Sequence, residues 1–166
     1  VLVLAFLSYS VRNYYYGGIE QAISGRSNEL VNIFENTGST TQVQFVTRAV
    51  EYVENFPDKE LMELMVFNKS GDIIITSTGF TPDITQETPD YNQAVKDSKS
   101  YAKWIGKLNS GEEVMAVTRV IYSASGANVG AVRYVVSLEA ANRNIFLMTS
   151  SFILTSMIVL FLLVFS

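Results

Sequence analysis

The stretch "NIFLMTSSFILTSMIVLFLLVFS", Asn144 to Ser166, carries no charge, and no other feature restricts the fold of this chain as strongly. A helix of about 23 residues rising ~1.5 Å each is long enough to cross a ~30 Å hydrocarbon layer. The Ser and Thr hydroxyls inside the run can bond back to the preceding helical turn, so they do not spoil a span. The competing reading is a buried core helix, but such helices seldom stay apolar on every side for this length. Residues 144–166 are therefore expected to form a transmembrane helix.

The other end supplies a companion. "VLVLAFLSYSV" is charge-free until Arg12, yet about 11 residues are too few to span a bilayer. A chain that opens at Val1 without a methionine reads as a piece cut inside an apolar segment, so residues 1–11 are expected to be the end of a first transmembrane helix. No small-residue cleavage pattern follows the run, which argues against a signal peptide. Two spans place both ends on one side of the membrane and residues 12–143 on the other. The Lys and Arg flanks that would orient the pair lie outside this stretch.

Between the spans lie all 12 basic and 16 acidic residues, a net charge of −4, with no Cys and no His. Their absence excludes a disulfide framework, a Cys nucleophile, a Ser–His pair, a His-ligated metal and a phospho-accepting histidine. No basic run tracks a phosphate backbone, so nucleic acid is not an expected partner. Gly17 with Gly18 and the isolated turn glycines match no phosphate-binding loop. Glu112 with Glu113 is the adjacent carboxylate pair that could do acid–base work, but strand neighbours point to opposite faces. No catalysis, cofactor or metal is expected in this stretch. About 130 residues suit one domain with its own core.

The order of elements follows from periodicity. Ile19, Ile23, Leu30 and Ile33 mark one stripe of a helix running on from the first span, interrupted by Arg26. "GSTTQVQFVTRAVEYVENFPD" restarts a helix capped by Ser39, Thr40 or Thr41, with Val43, Val46, Val50 and Val53 inside and Pro57 at its end. "LMVFNKSGDIIITS" reads as a hairpin in which Gly71 supplies a positive φ. A short helix is expected near residues 90–98, then the strand "SYAKWIGKL". "EEVMAVTRVIYS" and "NVGAVRYVVSL" follow as a hairpin around "ASGA". Long helices first and an antiparallel sheet of about five strands second make an α+β domain.

"MVFNKSGDIIITS" resembles the strand, turn and strand of PAS-like Cache sensor domains, and "GANVGAVRYVVSLEAANRNI" resembles their final strand and exit helix. Set between two membrane spans, the layout is similar to the extracytoplasmic sensor of bacterial sensor histidine kinases of the WalK and PhoR kind. The resemblance implies a signal-sensing domain in the bacterial cell membrane, extracytoplasmic over residues 12–143, feeding a cytoplasmic kinase of a two-component system. A chemoreceptor or a cyclic-dinucleotide enzyme as output, and a structural or protein-interaction ectodomain without a small ligand, stay open beside it.

In the resembling domains the ligand pocket lies on one sheet face beneath the short helix and its loops, here "TGFTPDITQETPDYNQAVKDSKS". The strands that would floor it carry Tyr101, Lys103, Arg119, Tyr122 and Arg133, the candidate ligand-binding residues. Tyr101, Lys103, Ile105 and Lys107 share one face of their strand and Trp104 takes the other. Residue numbers of pairing partners in the last hairpin should sum to about 251 or 252. In the second register Arg119 lies opposite Arg133, and an anion must neutralise the pair, either an internal Asp or Glu or a small anionic ligand. In the first, the two side chains take opposite faces. The expected partners are membrane lipid, a second copy pairing through the Ile19 stripe as a homodimer, and a small anionic ligand or cell-envelope component.

Overall fold

The computed structural model describes residues 2–35, 41–79, 88–97 and 100–165. It divides into two units, Val1–Gln21 with Leu138–Ser166, and Ala22–Ser137. Helix α1 (Leu2–Glu35) contributes to both. In the first unit it meets α4 (Glu139–Phe165), where the Tyr16 hydroxyl donates to Asn142 Oδ1 at 2.8 Å. Helix α4 is the one helix among the described residues that is long and apolar enough to cross a membrane.

The second unit is built on a five-stranded antiparallel sheet. Its strands are β1 (Glu63–Phe67), β2 (Ile73–Thr76), β3 (Tyr101–Lys107), β4 (Glu113–Tyr122) and β5 (Asn128–Ser137), in the spatial order β2-β1-β5-β4-β3. The last strand in sequence is thus the middle strand of the sheet. Helix α2 (Gln42–Glu54) precedes the sheet, and α3 (Pro89–Lys96) sits between β2 and β3 in sequence.

The local signals account for these elements. Thr41 caps α2, accepting from the Gln44 amide while the Gln44 side chain accepts from the Thr41 amide, a reciprocal pair that satisfies two otherwise orphan donors. Gly71 has φ +90°, and Asn68 Oδ1 accepts from the amides of Ser70 and Asp72 to close the β1–β2 turn. The β4–β5 turn closes through Ser123 and Ala127.

The two sheet faces differ in what covers them. Beneath α3 lie Phe67, Ala102, Val120 and Ala131, with Ala94 of α3 fully buried against them and Tyr91 stacked on Phe67 at 4.9 Å. On the other face, Phe45 of α2 closes over Gly130, Phe56 packs on Tyr134, and Tyr134 donates to the Arg26 carbonyl of α1 at 3.3 Å.

Two expectations need correction. The inner face of α2 is Phe45, Ala49 and Val53, while Val43 is 75% exposed. Spacing alone admits both sets, and the larger ring of Phe45 takes the core because it buries more apolar area than a valine. On α1 the buried positions are Ile23, Ser27, Leu30, Val31 and Phe34, with Ile33 outside. Ile23 and Leu30 therefore belong to the domain's own core. Of the two registers open for the final hairpin, the structure takes the first, Thr118↔Arg133 and Arg119↔Val132. Arg119 and Arg133 do not face each other.

Candidate functional site

Arg133 lies on β5 in the row Met65, Arg133, Thr118, Ala102 across four strands. This row faces α3. Pro89 starts that helix and Asp90 follows in its first turn, where the backbone dipole favours a carboxylate. Asp90 points down onto the row. Arg133 Nε donates to Asp90 Oδ2 at 2.8 Å and Nη2 donates to Oδ1 at 3.0 Å, a two-pronged pair. The Thr118 hydroxyl donates to Oδ2 at 2.6 Å.

Both charged side chains are shut from solvent, Arg133 at 1% and Asp90 at 0% exposure. Burial of this kind is tolerated because each charge meets the other and the carboxylate receives three donors. The far side of the guanidinium is poorer: Nη1 meets the Met65 thioether at 3.9 Å and the Trp104 ring lies 5.9 Å away. Beside the cluster, burial and then Asp72 push the Tyr91 hydroxyl above the ordinary tyrosine range.

The other candidate residues do not join this cluster. Tyr101 and Lys103 share the opposite face with Arg119, as the β3–β4 register requires. There the Arg119 guanidinium stands 5.4 Å over the Tyr101 ring, and the Tyr101 hydroxyl lies 3.4 Å from Ser24 on α1. Arg119 Nε is buried with no hydrogen-bond partner among the described residues. Tyr122, at the end of β4, is 37% exposed. The five residues thus form three separate settings. Of the expected cover, residues 80–87 and 98–99 lie outside the described residues.

Asp90 and Thr118 were not singled out among the candidates. An internal Asp or Glu was expected only for the register that sets Arg119 opposite Arg133; in the register observed, Asp90, right after Pro89, pairs with Arg133. A second polar set joins the solvent side of α1 to Asp58, after α2. Arg26 Nε bonds Asp58 at 2.6 Å and its Nη1 bonds Glu29 at 2.9 Å, and these partners raise its pKa further, Glu29 foremost. Arg26 lies beside the buried stripe, where Ser27 takes the position between Ile23 and Leu30, and it faces these two carboxylates.

No family model matches the sequence, and no curated protein matches it. Among solved structures, it is similar to the ligand-binding domain of the Pseudomonas aeruginosa PAO1 amino-acid chemoreceptor PctC, solved in complex with GABA. The TM-score is 0.55 at 11% identity, over 84% of this chain and 60% of that one. The chain thus spans less than two thirds of that structure's length. It also matches, at TM-score 0.46 and 9% identity, the extracellular domain of a protein described as a histidine kinase, over 81% of this chain and 59% of that one. A third, named methyl-accepting chemotaxis protein X, matches at TM-score 0.40 and 13% identity, over 84% of this chain and 66% of that one. Residues 22–137 form an α+β domain with the fold of PAS-like sensor domains.

Proposed function

We propose that the chain is the sensing part of a bacterial membrane receptor of the WalK and PhoR kind. Residues 22–137 take up a signal outside the cytoplasm, and α4 carries the response across the membrane to a cytoplasmic histidine kinase. The observation that carries this reading is the position of Arg133. It binds α3 through Asp90, and its strand β5 ends at Ser137, two residues before α4 begins at Glu139. A signal that shifts α3 acts on Asp90, hence on β5, hence on the start of α4. Likeness of fold to the chemoreceptor domain supports the class.

A second reading, a protein-interaction ectodomain without a small ligand, is favoured by Asp90 itself. It already neutralises the arginine that an anionic ligand would have used. In this reading α3 moves when a protein or cell-wall partner docks beside it.

The test joins the chain to the cytoplasmic part of a histidine kinase and reads autophosphorylation in membranes. Asp90→Leu with Arg133→Met keeps the site filled but removes the charged link. Its kinase output is expected to differ at least severalfold from the parent. Equal output from a folded double variant would overturn the role of this link in signalling.

A further inference from the structure

The first unit contains a second arrangement that the sensing role does not use. Reading upward along α1, Tyr9, Arg12, Tyr14, Tyr15 and Tyr16 crowd within about two helical turns. Tyr9 and Tyr14 are 64% and 80% exposed, unusual for aromatic side chains in water. The Arg12 guanidinium lies 4.9 Å over the ring of Tyr16, one helical turn further from the charge-free end.

The neighbouring helix gives an independent measure of level. Tyr16 bonds Asn142, which sets those two residues at one height. Arg143, the last charge of α4, follows Asn142 directly. Arg12, the first charge of α1, lies about 6 Å from Tyr16 along the axis, and Arg143 about 1.5 Å from Asn142. The two charge-free stretches, distant in sequence, therefore stop within about 5 Å of the same level, inside a headgroup layer that is roughly 5–7 Å thick on each side of a bilayer.

We infer that this level is a membrane–water boundary, and that Arg12 and Arg143 bind lipid phosphates there while Tyr9 and Tyr14 lie among the headgroups. The inference rests on the membrane-spanning part of the proposed function. Guanidinium forks suit phosphate oxygens, and tyrosine offers an apolar ring to the chains with a hydroxyl to the headgroups. Beyond Arg143, about 22 residues of α4 give a length of ~33 Å, enough for the ~30 Å core.

The test uses single-tryptophan reporters in the full chain with Trp104→Phe, reconstituted in vesicles of phosphatidylcholine and phosphatidylglycerol. The lipids carry a nitroxide either on the headgroup or at the middle of the acyl chain. Tyr14→Trp is expected to be quenched more by the headgroup label, and Ile153→Trp more by the mid-chain label. Adding Arg12→Leu and Arg143→Leu should shift the Tyr14→Trp reporter toward the mid-chain label. Deep quenching at Ile153→Trp without headgroup preference at Tyr14→Trp overturns the boundary and leaves the span standing. Absence of quenching at both reporters overturns the span and the boundary together. A Tyr14→Trp preference that stays the same without the arginines overturns their binding of phosphate.

Discussion

Asp90 of α3 holds Arg133 of β5 by two hydrogen bonds of 2.8 and 3.0 Å, across 43 residues of chain and out of contact with water. Removing one partner leaves the other charge buried and unpaired. Asp90→Ala is therefore expected to destabilise the domain by about 3–5 kcal/mol, and Asp90→Leu with Arg133→Met to recover most of that loss. Denaturant unfolding of the detergent-solubilised chain reads both. Single and double variants of equal stability would mean that the pair is not coupled.

Tyr134 is fully buried, and its hydroxyl bonds the Arg26 carbonyl. Burial first, and then Tyr52, raise its pKa far above the ordinary value of 10.0. The sign follows from linkage: above pH 10 the unfolded chain releases this proton and the folded chain keeps it, so stability falls as pH rises. The contribution is present in full below about pH 10 and is lost progressively above it. Tyr134→Phe should flatten the alkaline decline while lowering stability at neutral pH by about 1 kcal/mol for the lost hydrogen bond. Unfolding curves between neutral and alkaline pH check it; an alkaline slope identical to the parent's would refute it.

Ser27 sits in the buried stripe of α1 at 0% exposure, and its hydroxyl finds no hydrogen-bond partner among the described residues. A buried hydroxyl without a partner forfeits its hydration for nothing, and alanine is the better helix former. Ser27→Ala is expected to raise stability by about 1–2 kcal/mol, visible as a higher melting temperature. A lower one would show that the hydroxyl is satisfied in solution.

How far these features could be read beforehand depends on how local their causes are. The turn at Gly71 was legible, and the cap of α2 to one of Ser39, Thr40 or Thr41, because a positive φ and a helix cap are specified within about five residues. The β4–β5 pairing was legible to within one residue, and that one residue decided the site. The sum of 251 instead of 252 sends Arg119 to the α1 side and leaves Arg133 to Asp90. Nothing local distinguishes the two registers; the choice comes from Phe45, Tyr134 and Val132 needing one face and Ala131, Val120 and Ala94 the other. The inner face of α2 was misread for a similar reason, since a stripe of valines and one of Phe45, Ala49 and Val53 fit the same helix until the sheet beneath is known.

At Gly130 the Phe45 ring of α2 lies against the sheet. Gly130 pairs with Ile121 on β4, and a Cβ added to it would overlap both the Phe45 ring and the Phe67 carbonyl oxygen of β1. A ring can swing aside, but the carbonyl belongs to the backbone of a paired strand and cannot yield without disturbing the ladder. Gly130→Ala is therefore expected to cost about 2–3 kcal/mol, the upper part of the range for overpacking. Adding Phe45→Leu should not restore stability, because the carbonyl remains. Gly126 provides the contrast: its φ is +79° but nothing lies within 4 Å of an added Cβ. Gly126→Ala meets only the left-handed backbone penalty, about 1 kcal/mol. Equal losses at the two positions, measured by denaturant unfolding, would show that the Phe67 carbonyl yields to a Cβ at Gly130.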